Sequence, residues 1–148
     1  MMGNRRITFA DFEALLKFAQ EYHRLKDEPI PSLNNDSRGK IESCLSTPFQ
    51  IFYGAVAFKG LFKKAAALFY YIAKGHPLAN GNKRMACITV GFFLFKNHWY
   101  IGATNEDLIS LARYTANSHA QDKDECMNRI EQVLRECAER MQPSPTND

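Results

Sequence analysis

The chain has 148 residues, 45% of them hydrophobic and 24% charged, which suits one folded domain and excludes general disorder, collagen-like and low-complexity classes. Nineteen Lys and Arg against sixteen Asp and Glu leave a net charge of +3. That excess is small and forms no basic stripe, which disfavours a dedicated nucleic-acid binder.

Thr8-Phe9-Ala10-Asp11 predicts a helix start, with a hydroxyl cap and an acid three residues on. Ile7 and Phe12 are placed to staple it, and Phe12, Leu15, Leu16, Ala19 and Tyr22 repeat at helical spacing. Pro29 and Pro31 bound this helix, and Asn34-Asn35-Asp36-Ser37 is a polar cap for a short helix over 38–45, which Thr47-Pro48 breaks. Two β-prone runs, Ile51-Phe52-Tyr53 and Val56-Ala57-Phe58, flank Gly54-Ala55 and predict a small hairpin flap. Residues 61–73 are apolar almost all round and predict a buried helix, and 85–95 have the same character. Thr104 opens a further helix carrying Leu108, Ile109, Leu111 and Ala112. A last helix is predicted over about 122–141, its stripe running Met127, Ile130, Val133, Leu134, Cys137, Met141. Glu125–Arg129, Glu131–Arg135 and Glu136–Arg140 flank that stripe at i,i+4 as solvated pairs. Residues 1–142 are expected to form a single mainly α domain, with 143–148 as a disordered tail.

Cys44, Cys87, Cys126 and Cys137 have no C-x-x-C spacing and predict reduced, mostly buried thiols. Residues 1–11 do not pattern as a signal peptide, and the longest apolar run is about half of the ~20 residues a bilayer span needs. The expectation is a cytoplasmic protein with no membrane association.

Between the two buried helices lies Gly75-His76-Pro77-Leu78-Ala79-Asn80-Gly81-Asn82-Lys83-Arg84. This polar island interrupts the most apolar part of the chain, and burying such groups without partners costs several kcal/mol, so they need partners or a task. Pro77 and Gly81 break helix, so the next helix should start near Asn82, with Lys83 and Arg84 in its first turn. Cations there oppose the helix dipole, and the first-turn N–H groups have no carbonyl partners. An anion would relieve both, and phosphate commonly binds at a Gly-preceded helix N-terminus. His76 stands beside that position as a candidate general base or acid. His23, His98 and His119 have no such neighbours and read as structural or surface residues.

His76-Pro77-Leu78-Ala79-Asn80-Gly81-Asn82-Lys83-Arg84 resembles the signature of the Fic/Doc superfamily, H-x-F-x-[D/E]-[A/G]-N-[G/K]-R. Its Asn-Lys-Arg ending is similar to the Doc (death-on-curing) branch, the toxin half of toxin–antitoxin pairs, and the resemblance runs over about 38–134. It implies a compact helical bundle with a β-hairpin flap that docks a target segment, with Tyr53 and Phe58 as flap contacts. It also implies phosphoryl transfer from ATP to a Ser/Thr hydroxyl of a target protein, elongation factor Tu in Doc-like proteins, which blocks translation. His76 would be the base; Gly81, Asn82, Lys83 and Arg84 would bind the phosphates; Mg²⁺ would bridge them. A separate antitoxin would supply control.

The alternative is AMP transfer, the reaction of most Fic relatives. Those relatives usually carry Gly where Lys83 stands and a second Arg where Cys87 stands, so both positions favour the Doc-like reaction; a thiol cannot replace a guanidinium clamp. Asn80 replaces the motif acid that normally ligates Mg²⁺, and a carboxamide brings an oxygen but no charge. That substitution opens a third reading, a binding module that has kept the fold without the chemistry. Leu78 replaces the usual Phe anchor.

Overall fold

In a computed structural model, the protein is described over residues 3–24, 30–34 and 36–142, without the side chains of His23 and Arg24. The predicted tail at 143–148, Pro29, Asn35 and the side chain of His23 lie outside the described residues. Six helices and two small antiparallel sheets make up the described fold.

Helix α1 spans Phe9–Arg24. The capping box forms as read: Asp11 N–H donates to Thr8 Oγ1 at 3.0 Å and Thr8 N–H to Asp11 Oδ2 at 2.9 Å. Ile7 and Phe12 are both buried, as the staple requires. The apolar stripe holds for Phe12, Leu16 and Ala19, which are buried, but Tyr22 is 55% exposed. Helix α2 covers Ser37–Ser46. Its start is organised by Asn34, whose Oδ1 accepts from the N–H of Asp36 and of Ser37, both at 3.0 Å.

The flap is a two-residue hairpin, β1 Ile51–Phe52 against β2 Ala55–Val56. The turn is Tyr53-Gly54, with φ of 50° and 78°, one residue earlier than the Gly54-Ala55 expected from sequence. Positive φ at both central residues matches a primed hairpin turn, the hand that suits strand twist. That preference for turn hand outweighs the cost of Tyr53 in a left-handed conformation.

Helices α3 (Leu61–Gly75) and α4 (Asn82–Lys96) form the centre of the molecule. Helix α3 packs against α4, against α5 (Asn105–Asn117) and against α6 (Lys123–Cys137). Its Ala65, Ala67, Phe69, Ile72 and Ala73 are fully buried, as an all-round apolar helix must be. No helix of the described residues is long and apolar enough to cross a membrane.

Two contacts set the directions of the helices around α4. Lys96, at its C-terminal end, pairs with Asp11 at 2.8 Å and donates to the Arg6 carbonyl at 2.8 Å, so α1 begins where α4 ends. Burial opposes ionisation of Asp11, but hydrogen bonds from Lys96 and Thr8 hold its carboxyl below the usual range. Lys74, at the end of α3, donates to the carbonyls of Ala116 (3.3 Å) and Ser118, which fixes the end of α5 beside the end of α3.

The last helix stops earlier than its stripe suggests. Helix α6 ends at Cys137, and β4 Ala138–Arg140 pairs with β3 Trp99–Ile101 in the register Trp99↔Arg140, Tyr100↔Glu139, Ile101↔Ala138. The Glu136–Arg140 pair is therefore not helical; Arg140 instead lies over the Trp99 ring at 5.8 Å. Glu131–Arg135 forms at 2.9 Å, whereas Arg129 sits over Tyr114. Ala138-Glu139-Arg140 has helical propensity, but strand pairing with the aromatic β3 overrides it. All four cysteines are free, with Cys44 and Cys126 buried and Cys87 and Cys137 half-buried.

Candidate active site

The polar segment becomes a tight connection between α3 and α4. His76 ends α3 in the left-handed conformation, with φ 47° and ψ 57°. Pro77 and Leu78 then turn into the core, where Leu78 is 5% exposed and fills the place of the anchor. Gly81 precedes α4 with φ 85°, a conformation that L side chains rarely adopt. A Cβ at Gly81 would also stand only 3.0 Å from Ile30, so the close approach of that segment needs glycine as well.

Asn82 holds the connection in shape. Its Oδ1 accepts from the Leu78 N–H at 2.8 Å and its Nδ2 donates to the Leu78 carbonyl at 2.9 Å. The same Nδ2 lies 3.4 Å from His76 Nδ1. Which ring nitrogen carries the proton depends on the tautomer, and this contact does not set it. At 3.4 Å the contact is long and weak, enough to aim the ring and little more. The Asn82 side chain is thus spent on the loop, and its backbone N–H is left without a helical carbonyl partner.

Thr8 and Thr104 cap α1 and α5 through their hydroxyls, but α4 begins at Gly81 with no side-chain cap. The first intrahelical bond runs from Met85 N–H to the Gly81 carbonyl at 2.9 Å. The N–H groups of Asn82, Lys83 and Arg84 therefore lack helical carbonyl partners. Lys83 and Arg84 are both half-buried and border the same cleft as His76. The uncapped dipole, two cations and one imidazole thus border a single cleft.

The cleft has a volume of about 880 Å³. Its motif end holds His76, Ala79, Asn80, Gly81, Asn82, Lys83 and Arg84. Sequence reasoning missed the other walls. Helix α1 adds Phe18 and Tyr22, α4 adds Cys87 and Ile88, and α5 adds Asn105, Ile109 and Arg113. The i,i+4,i+8 spacing of Asn105, Ile109 and Arg113 was a readable signal of one helix face, but it does not say what that face meets. Burial pushes the Cys87 thiol up to about 12, so it faces the cleft as a neutral group. Tyr53 and Phe58 do not border this cleft: Tyr53 stands fully exposed at the flap tip, and Phe58 packs partly buried against the core beside a second hollow near α6.

The donor set does not fit a protein-held Mg²⁺. Asn80 Oδ1 accepts from the Gly81 N–H at 2.8 Å, and no carboxylate among the described residues borders the cleft. No group of three His, Cys, Asp or Glu among them is placed to hold a metal. Hard divalent cations favour carboxylates, and this cleft presents cations instead.

Over 59 residues the chain is 37% identical to Toxin Doc of Mycolicibacterium smegmatis, a stretch that covers 40% of this chain and 45% of that protein. The chain thus matches less than half the length of this curated relative. No solved structure matches. The family model described as Fic/DOC matches residues 3–94, from before α1 to near the end of α4, with the whole His76–Arg84 segment inside it. The chain belongs to the Fic/DOC family.

Proposed function

We propose that this protein is a Doc-like toxin that transfers the γ-phosphoryl group of ATP to a Ser/Thr hydroxyl of a target protein, elongation factor Tu being the expected target, under control of a separate antitoxin. The observation that carries this reading is the convergence of His76, Lys83, Arg84 and the uncapped start of α4 on one cleft. The α4 N–H groups and both cations hold the polyphosphate and neutralise the charge that builds in the transition state. The unprotonated nitrogen of His76 takes the acceptor's proton as the hydroxyl oxygen bonds to the γ-phosphorus. The bond from that phosphorus to the β,γ-bridging oxygen breaks, and ADP leaves. Asn82 bonds both the N–H and the carbonyl of Leu78 and so holds the turn that carries His76. The flap presents its exposed strands and Tyr53 for pairing with an extended target segment.

AMP transfer is the second reading, and Arg113 favours it. Cys87 removes the second motif guanidinium, but Arg113 brings one to the same cleft from α5. ATP labelled at the α or the γ phosphate separates the two when incubated with the protein, Mg²⁺ and purified elongation factor Tu. Label transferred from the γ position alone is the expected result, and His76→Ala should abolish it. Transfer from the α position would establish the second reading. No transfer from either, or full activity in the His76 variant, would overturn the assignment.

A further inference from the structure

The cleft changes character along its length. Helices α1 and α4 are antiparallel, because Lys96 pins the end of α4 to the start of α1. Tyr22, near the end of α1, is therefore level with Arg84, and Phe18 with Ile88, one turn further from the motif. Lys74 ties the end of α5 beside the end of α3, next to His76. Arg113 lies one turn before that tie and Ile109 two turns before it. The motif end is therefore cationic, with Lys83, Arg84 and Arg113. The next turn outward is apolar, with Phe18, Ile88 and Ile109. A ligand that matches both must carry several negative charges at one end and a flat apolar body at the other. Phe18 is 68% exposed, a large aromatic ring left at the cleft edge where no core contact accounts for it.

We propose that Arg113 is a third phosphate-binding residue and that Phe18, which borders the same cleft as Ile109, stacks on the nucleotide base. This deepens the nucleotide reading and rests on it. Arg113 and Ile109 both lie beyond residue 94, outside the part of the chain that the family match covers. A guanidinium can take two phosphate oxygens at once, which a neutral Cys87 cannot. An aromatic face holds any base without reading its edge.

Titration calorimetry with two probes, ATP and inorganic triphosphate, tests the division. Arg113→Ala should weaken both probes by about ten-fold, and Arg113→Lys should recover part of the loss. Phe18→Ala should weaken ATP by about ten-fold while leaving triphosphate unchanged, and Phe18→Trp should restore ATP binding. Both residues are exposed, and circular dichroism of each variant checks that the fold persists. Unchanged ATP binding in Arg113→Ala and Phe18→Ala would overturn the proposal while leaving the nucleotide reading intact. Equal loss of both probes in Phe18→Ala would refute the base-stacking role. Failure of the wild-type protein to take up either probe would overturn the nucleotide reading itself.

Discussion

Two loops of this protein carry its proposed work, and they are built in opposite ways. The connection between α3 and α4 is strapped down: Leu78 is buried, Asn82 bonds both its backbone groups, and Ile30 lies against Gly81. The flap has two strands of two residues each, with Ile51, Phe52 and Tyr53 all exposed. Each loop needs a glycine at positive φ, yet a Cβ at Gly81 would meet Ile30 while one at Gly54 would meet nothing. The proposed function accounts for the difference. Stabilising developing charge needs groups fixed before the reaction, because a site that must reorganise loses the benefit. Receiving a polypeptide segment needs open backbone edges that adjust to it.

The largest expected effect comes from removing the strap. Asn82→Ala leaves the buried N–H and carbonyl of Leu78 without partners, and should cost roughly 3 kcal/mol in denaturant unfolding. It should also abolish transfer, since His76 loses its aim. Unfolding within 0.5 kcal/mol of wild type would show that the loop is held by something else.

The glycine pair sharpens the contrast. Gly81→Ala combines left-handed strain with a clash against Ile30 and should cost roughly 2–3 kcal/mol. Gly54→Ala meets open space and should cost only about 1–2 kcal/mol, from strain alone. Equal losses would erase the distinction between the two loops. The smallest stability effect is expected for Tyr53→Ala, within about 0.5 kcal/mol of wild type, because this side chain is fully exposed. Target modification should fall in that variant while ATP binding is unchanged. Unaltered modification would remove Tyr53 from the docking surface.

Much of the site was legible from sequence for one physical reason. A polar island between two all-round apolar helices is costly unless it is organised, so His76, Asn82, Lys83 and Arg84 stood out. The start of α4 at Asn82 and the Thr8 and Thr104 caps were legible because their signals are local. What was missed depends on long-range packing. Arg113, Ile109 and Phe18 sit on ordinary helix faces, and only the antiparallel arrangement of α1, α4 and α5 makes them walls of one cleft. The β3–β4 ladder was hidden because residues 138–140 read as helix until Trp99 and its neighbours pair with them. The inward turn of the Asn82 side chain could not be read either, since its partners are backbone groups of Leu78 rather than a recognisable motif.

The central claim is that the start of α4 and its two cations grip a polyphosphate. Calorimetric titration of ATP into the wild-type protein and into a Lys83→Ala/Arg84→Ala variant tests it most directly. The account predicts saturable uptake at one site by the wild type and at least about ten-fold weaker uptake by the double variant, with the helical content of both unchanged. Equal affinity in the two proteins, or no uptake by the wild type, would contradict it.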